Sequence, residues 1–421
     1  MLLSLKINNC LIYNSEVEFS MRANMHYKRF SNNVASIDDV HVLKTAVLIG
    51  PNNSGKTNFV HIIATLKELM LGRDTVLIGN LFSDNPVVEL SVVFLENGTE
   101  NLFEIRYDVS KREYVYERFA QIQRDQYKNT RITELLVRDI LNKNFYSVDT
   151  GLDAAMKVAA RNNILIYLVD TEGFPCLNKI KETIISFASK IDVVDMNNIP
   201  IKKTIEMLKA SESDHQKIAN FVLNADLYLD DYKYLTDDDI NRVLRAYNIT
   251  EIKPQENALR SAASLTEMLH LASVYKGVMV PSVLFDSTGT KKMAALASYV
   301  IEALENGRIL VVDELDNSLH FRLTRAIIAL FNNELNRDAQ LIATVHDISL
   351  LDCQKLFRKE QIWFTHKDRD NAYLYSLADF TAEKSGVRDT SDLIEKYRKG
   401  VFGALPEPDL FQSLLEVKQH G

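Results

Sequence analysis

The chain has 421 residues, of which 46% are apolar and 25% charged, an ordinary globular composition with ample length for one large domain or two to three modest ones. No run of about 18 apolar residues occurs, so no transmembrane helix is expected; the start lacks the basic, apolar and small-residue segments of a signal peptide, and a cytoplasmic location is expected. The net charge of −8 gives no bulk argument for nucleic-acid binding, and three distant cysteines, Cys10, Cys176 and Cys353, suggest neither a zinc site nor a disulfide framework.

Taken in chain order, residues 1–20 predict strand, turn and strand, with Leu3, Leu5 and Ile7 and then Val17 and Phe19 alternating with polar neighbours. Val47, Leu48 and Ile49 form a short aliphatic run, a buried strand. Gly50-Pro51-Asn52-Asn53-Ser54-Gly55-Lys56-Thr57 follows and fits G-x-x-x-x-G-K-[ST] at every fixed position. Phe59, Ile62, Ile63, Leu66, Leu69 and Met70 then recur at helical spacing, so the loop sits between a strand and a helix. Gly50 and Gly55 permit backbone angles and close approaches that a side chain would block. Successive N–H groups at the helix start face an anion. Lys56 adds a cation for the outer phosphates, and the Thr57 hydroxyl can ligate Mg²⁺.

Residues 86–118 predict an antiparallel meander turning at "ENGTEN" and "SKRE". From about 130 to 275 the apolar spacing turns helical, in "ITELLVRDILN", "GLDAAMKVAARNNILIYLV", "LNKIKETIISFASKI", "IKKTIEMLKASES", "HQKIANFVLNADLYL" and "LRSAASLTEMLHLASVY". No heptad is sustained, so no long coiled-coil arm is expected. From 281 strands and helices alternate again. "FDSTGTKKMAALASYVIEAL" places Ser287, Gly289 and Thr290 at a helix N-terminus, a second place where an anion can be met. "RILVVDE" is an apolar strand ending in Asp313-Glu314. An acid there can serve Mg²⁺, and its neighbour can polarise a water as general base. "LIATVH" ends in His346, able to hydrogen-bond a phosphate or the attacking water. "IWFTH" and "AYLYSL" flank "KDRDN" as a hairpin, which makes Asp368-Arg369-Asp370 solvated turn charge rather than a nuclease metal site.

The order of P-loop, insertion, small-residue cap, Asp-Glu strand and His strand resembles the ATP-binding-cassette (ABC) ATPases. Within them it is most similar to the soluble branch of RecF, the chromosome-maintenance heads and the OLD-like ATPases of bacterial phage defence. "GPNNSGKTN" resembles that branch's Walker A, including Asn58. "STGTKK" resembles its signature, "LVVDELDNSLH" its Walker B and D-loop, "QLIATVHD" its switch strand, and "LIEKYRKGVFGALP" the ending of compact OLD-like ATPases without a Toprim nuclease domain. The resemblance implies an α/β P-loop ABC-ATPase head, a mixed α/β core plus an antiparallel β lobe, with a large helical insertion. The segments would be 1–128, 129–280 and 281–421. It implies ATP and Mg²⁺ as cofactors. Gly50, Asn52, Asn53, Ser54, Gly55, Lys56, Thr57 and Asn58 would wrap the phosphates, Thr57 and Asp313 serve Mg²⁺, Glu314 act as base and His346 sense the γ-phosphate. Ser287, Gly289 and Thr290 would reach ATP held by a second subunit, giving an ATP-sandwiched homodimer or higher oligomer. Asp286 stands where the family carries its usual acid, and Gln121 and Gln123 lie near the region of the Q-loop glutamine.

Two outputs are implied. One is a slow ATPase switch in anti-phage defence that controls a separately encoded toxin or nuclease. The alternative is a RecF-like or chromosome-type ATPase that clamps DNA, predicting a basic groove. A nuclease within the chain is set aside, because too few residues follow His346, and a membrane-transport motor is set aside because the insertion is unlike a transporter's helical subdomain.

Overall fold

Thr45–Ile49 is a strand buried on both faces, and it anchors the central sheet. The computed structural model describes residues 1–124, 130–225, 228–246, 267–351, 356–388 and 391–405; Cys353 and residues 259–266 of the last expected helical segment lie outside them. Strands are numbered β1 to β18 along the chain. The central sheet has the order β11-β15-β16-β5-β17-β18. It comprises β5 (Thr45–Ile49), β11 (Ile191–Asp195), β15 (Ile309–Asp313), β16 (Gln340–Val345), β17 (Ile362–Lys367) and β18 (Ala372–Ser376). Five strands are parallel and β18 closes the edge antiparallel. The near-continuous apolar runs of β5, β15 and β16 follow from burial on both faces.

A second sheet is fully antiparallel, with the order β10-β9-β8-β7-β6-β1-β2. Its strands are β1 (Leu2–Asn8), β2 (Val17–Ser20), β6 (Val87–Glu96), β7 (Thr99–Asp108), β8 (Glu113–Arg124), β9 (Thr130–Asp139) and β10 (Asn144–Ser147). The β6–β7 turn places Asn97 and Gly98 at positive φ, 50° and 73°, the mirror-type turn that matches strand twist. A small hairpin joins β3 (Val34–Ile37) and β4 (Val40–Leu43). A three-stranded sheet, β12-β13-β14, is made from Asp231–Tyr234, Leu271–Tyr275 and Val278–Pro281.

The helix Lys56–Met70 lies between the two large sheets. Its Phe59, Ile62, Ile63 and Leu66 share one core with Leu5 and Phe94 of the antiparallel sheet and with Leu48, Val311 and Ile342 of the central sheet. Phe19 stacks against both Phe59 and Trp363, with ring centroids 5.0 and 4.9 Å apart, so aromatic contacts link the layers. The opposite face of the central sheet, through Val47, Val312 and Ala343, packs on the helices Thr288–Asn306 and Phe321–Phe331. The architecture is a mixed α/β P-loop ATPase head with an antiparallel β lobe and helical insertions.

The expected helical character of 130–275 needs correction at four places. "ITELLVRDILN" forms β9, and β10 follows it. Its three- and four-residue apolar spacing is overridden by cross-strand pairing: Arg138 stands opposite Glu117 of β8, and Leu136 opposite Phe119. In "GLDAAMKVAARNNILIYLV" only Leu152–Val158 is α-helical, with a short 3₁₀ turn at Leu165–Tyr167. Ile191–Asp195 after the helix Pro175–Ser189 joins the central sheet as β11. "LASVY" is β13, paired on both sides. The helices Lys202–Ala210 and Glu212–Leu223 agree with the sequence reading.

Arg138 and Glu117 hold the far side of the antiparallel sheet, and both are almost fully buried. One Arg138 nitrogen donates to Glu117 Oε1 at 2.8 Å, and another donates to the carbonyls of Ala159 and Ala160 at 3.0 and 2.6 Å. Glu117 Oε2 accepts the Leu165 N–H at 2.7 Å. Removing one partner leaves a buried charge unpaired. Arg138→Ala is expected to destabilise the protein by about 3–5 kcal/mol, read as a lower urea midpoint; a loss under about 1 kcal/mol would show that this pair does not hold the sheet.

Candidate functional site

The loop after β5 is shaped by backbone constraints. Gly55, at φ 113°, caps the helix Lys56–Met70, and Asn53 sits at φ 62°. A Cβ on Gly50 would overlap the Thr365 hydroxyl and carbonyl and come within 2.7 Å of Ser54 Oγ; one on Gly55 would meet Ile12 at 2.8 Å. Both positions therefore require glycine, as the motif demands. The Ser54 and Thr365 hydroxyls are bonded at 2.5 Å, tying the loop to β17. Tyr13 O–H donates to the Gly55 carbonyl at 3.1 Å, tying it to the segment after β1. Asn52, Asn53 and Thr57 are exposed and Asn58 is half-buried. Lys56 is only 5% exposed, and its ammonium donates to the carbonyls of Gly50 and Pro51 at 2.7 and 2.9 Å. Burial lowers its pKa, opposed by the carboxylates of Asp313, Asp316 and Glu314, so the cation and the three acids share one electrostatic neighbourhood.

Strand β16 stands between β5 and β15, so the strand that ends before His346 separates the P-loop strand from the Asp313 strand. Thr344 of β16 donates its hydroxyl proton to Asp313 Oδ1 at 2.5 Å and accepts the Glu314 N–H at 2.7 Å. Glu314 is held at φ 56°, a strained setting for a non-glycine residue. Its Oε2 accepts from the side-chain amides of Asn197 and Asn317 at 3.0 and 2.9 Å. His346 Nε2 lies 3.9 Å from Glu314 Oε1. The Asn197 bond is the first cause that holds the Glu314 carboxyl below its ordinary range, followed by Asn317 and the charges of His346 and Lys56, with burial opposing. Asp316 Oδ2 accepts the N–H groups of His346 and Asp347 at 2.8 and 2.7 Å, fixing the histidine's backbone.

Ser287 caps the helix Thr288–Asn306, its Oγ accepting the Thr290 N–H at 3.1 Å and lying 2.9 Å from Thr290 Oγ1. No hydrogen bond joins Ser287 to the 50–58 loop among the described residues. Gly289 lies against the turn after Glu314, where a Cβ would come within 2.8 Å of the Ser318 carbonyl. Asp286 is buried and accepts three hydroxyls, from Ser273 and Ser282 at 2.5 Å each and Tyr275 at 2.8 Å.

The structure thus gathers Lys56, Asp313, Glu314 and His346 and sets Ser287, Gly289 and Thr290 on a separate helix start. Asn197, Asp316, Asn317, Thr344 and Thr365 were not singled out in the sequence. Asp316 and Asn317 lie within the quoted "DELDNSLH" segment, Thr344 within "QLIATVHD" and Thr365 within "IWFTH", and Asn197 carries no local motif. Gln121 and Gln123 sit on β8, opposite Thr133 and Arg131, and the amide carried to Glu314 from a distant strand is that of Asn197. Asp368 is exposed in the β17–β18 turn and bonds His366 at 3.0 Å. Among the described residues no group of three or more His, Cys, Asp or Glu could hold a metal by itself, and no helix is long and apolar enough to cross a membrane.

The residues fit a Mg²⁺–nucleotide. Gly50 and Gly55 are packed too closely against Thr365, Ser54 and Ile12 to carry a side chain, so the loop keeps the glycine-dependent backbone course with which this motif presents N–H groups to phosphate oxygens. Thr57 presents an exposed hydroxyl. Asp316 Oδ1 is buried without a partner, an acceptor that a cation or its water would satisfy.

Residues 198–352 match a family model described as "AAA domain, putative AbiEii toxin, Type IV TA system". The match takes in Ser287, Asp313, Glu314 and His346 and stops short of the P-loop. No curated protein matches the chain. Among solved structures, the chain is similar to an Smc head bound to the C-terminal winged-helix domain of ScpA, at 10% identity, with 89% of this chain and 97% of that one covered and a TM-score of 0.43. It is also similar to the SMC head domain from Thermotoga maritima, at 12% identity, with 89% and 98% covered and a TM-score of 0.41.

Because Asn197 is the first cause of the Glu314 depression, Asn197→Ala should raise the Glu314 pKa back toward the ordinary 4.5. Carbon-13 NMR titration of labelled glutamate checks this, and an unmoved pKa would sink the assignment. The sign is fixed: the stabilisation from ionised Glu314 is present above the unfolded-state pKa and is lost as pH falls through the lowered folded value. The variant should therefore lose stability at neutral pH and lose less of it on acidification than the wild type.

Proposed function

We propose that this chain is a Mg²⁺-dependent ATPase of the ABC type, in the class that includes RecF and the chromosome-maintenance heads, and that ATP pairs two heads. The observation that supports the reading best is the convergence, at one end of the central sheet, of a buried Lys56, a loop that requires glycine, and an Asp313-Glu314 pair held by Thr344. Lys56 exchanges its two loop carbonyls for phosphate oxygens, which offsets the cost of its burial. Thr57 and Asp313 would hold Mg²⁺, whose role is to neutralise phosphate charge and orient the outer phosphates. Glu314, kept ionised by Asn197 and Asn317, accepts a hydrogen bond from the attacking water and orients it. His346, facing the other Glu314 oxygen, senses the outer phosphate. A low-pKa carboxylate is a weak base, so slow turnover is expected.

Ser287, Gly289 and Thr290 support the pairing. They crown a helix of 19 residues and make no hydrogen bond to the 50–58 loop among the described residues, the arrangement expected if they complete the site of a second subunit. Light scattering with ATP and Mg²⁺ tests this. Glu314→Gln should double in mass and stay doubled, Ser287→Ala should fail to double while binding ATP, and Lys56→Ala should do neither. Identical behaviour of Glu314→Gln and Lys56→Ala would defeat the reading.

Two outputs follow from such a head. A DNA clamp is the broader one, supported by the class resemblance. Control of a separate toxin or nuclease in phage defence is the narrower one, supported by the wording of the family model over residues 198–352. ATP-dependent retention of DNA by Glu314→Gln at low salt would favour the clamp. ATP-dependent capture of a neighbouring gene product without DNA would favour effector control.

A further inference from the structure

A cavity of about 220 Å³ lies far from the phosphate loop, between the 24–30 segment, residues 357–360, Arg388 and Leu393. Its position follows from the sheet. The turn Lys359–Gln361 precedes β17, which runs parallel to β5 with Ile362 opposite Val47. The cavity is therefore at the end where β5 begins, and the phosphate loop at the end where it finishes.

The 24–30 segment reads "NMHYKRF", aromatic and basic residues interleaved. Arg358 pins it. This guanidinium is 5% exposed, and it donates to the carbonyls of Tyr27, Arg29 and Asn24 at 3.0, 3.2 and 2.7 Å. Glu360 accepts the Asn24 N–H at 2.8 Å and pairs with Arg358 at 3.0 Å, so the one carboxylate lining the cavity among the described residues is already neutralised. Lys28, Arg29, Lys359 and Arg388 then remain; the Lys359 ammonium is engaged, donating to the Val387 carbonyl at 3.2 Å, and Lys28, Arg29 and Arg388 make no ion pair among the described residues. On a chain of net charge −8, three cations around one recess with no ion-pair partner among the described residues point to an anion site rather than average surface. The Arg29 guanidinium sits 5.5 Å from the Phe30 ring centre, and Tyr27 is 37% exposed, so flat apolar surface adjoins the charge. Phosphate beside an aromatic surface is the chemistry of one nucleotide unit. The volume, below the roughly 300–1,000 Å³ of drug-sized sites, suits one phosphate with part of one ring.

We propose that this cleft binds a nucleotide phosphate and its base, as a unit of single-stranded nucleic acid or as a free nucleotide, independently of the phosphate loop. Arg358 and Glu360 are positioning residues that preset the loop; Lys28, Arg29 and Arg388 supply the charge and Tyr27 and Phe30 the stacking surface.

The test is fluorescence anisotropy of a fluorescein-labelled oligothymidylate on the full chain carrying Lys56→Ala, which removes phosphate-loop binding. Binding should persist in this background and weaken as salt rises. Lys28→Glu with Arg388→Glu should weaken it at least tenfold, and Lys28→Gln with Arg388→Gln by an intermediate factor. Loss of two contacts should reduce the log–log salt slope by about 1.4. Binding of a fluorescent ATP analogue by the same double variants in an otherwise wild-type chain reports that they are folded. Unlabelled AMP is the second arm: displacement of the oligonucleotide by AMP identifies a free-nucleotide site, and displacement by unlabelled oligonucleotide alone identifies a polymer site. No binding of either probe in the Lys56→Ala chain, or binding indifferent to charge reversal, overturns the proposal. Loss of the ATP analogue from the wild-type chain would count against the ATPase reading and leave the cleft untouched.

Discussion

The hydroxyl of Thr344 occupies the position on which the Asp313-Glu314 end of the sheet depends. Asp313 is buried at the close of an apolar strand, where an ionised carboxylate is costly unless donors surround it. Thr344 donates to it and simultaneously accepts the next N–H, so one side chain satisfies the acid and turns the chain at Glu314 into a left-handed setting. Hydrogen bonds to charged groups contribute about 1.5–3 kcal/mol, comparable to the roughly 1–3 kcal/mol cost of such a backbone setting. The turn that follows then directs Asp316 to the His346 and Asp347 amides and Asn317 to Glu314. β16 therefore contributes more to the site than the histidine at its end: it sets where both acids point.

Legibility in the sequence tracks how local each constraint is. The phosphate loop was readable because strand, glycines, lysine and helix lie within a few residues and each has a chemical reason to be there. The Asp-Glu strand and the His strand were readable for the same reason. Asn197 was not. It reaches Glu314 only because β11 pairs in parallel with β15, placing Asp195 beside Asp313 across more than a hundred residues of chain. Thr365 likewise meets Ser54 only because β17 flanks β5. The misread stretch at 132–142 shows the converse. Its apolar residues recur at helical intervals, yet Arg138 needs Glu117, and that pairing exists only in a strand register. A buried ion pair outweighed a periodicity that described the segment in isolation.

The inserted segment is joined to the head by packing and by charge. Ala294 and Ala297 of the helix Thr288–Asn306 lie in one core with Ile218, Val222 and Tyr232, so the helix that carries Ser287 is itself a wall of the inserted lobe. Thr204 bonds the Ala295 carbonyl and Ser298 from the inserted side. Asp286 makes the link more specific. It gathers two hydroxyls of β13 and one of Ser282 directly before Ser287, with both carboxylate oxygens occupied. A longer acid would have to displace one of these donors or shift the cap. The short side chain thus matches the spacing between the three-stranded sheet and the helix start.

That link gives a physical route between the two ends of the proposed switch. A rigid shift of β13 cannot leave Asp286 behind without breaking two hydroxyl bonds to a buried carboxylate, those of Ser273 and Tyr275, each of the stronger, charge-assisted kind. The cap at Ser287, one residue on, must then move with the sheet or lose its own bond to Thr290. Gly289 lies beside the Ser318 carbonyl, so close that an added Cβ would come within 2.8 Å of it, and a displaced cap would therefore press on the Ser318 turn. Ser318 in turn bonds Asn317, which holds Glu314. The inserted sheet and Glu314 are therefore joined by a continuous series of contacts. In the proposed switch, a ligand on the inserted lobe and pairing of the helix starts would act on one element, and by thermodynamic reciprocity nucleotide-driven pairing would alter what the lobe binds as strongly as the lobe alters pairing.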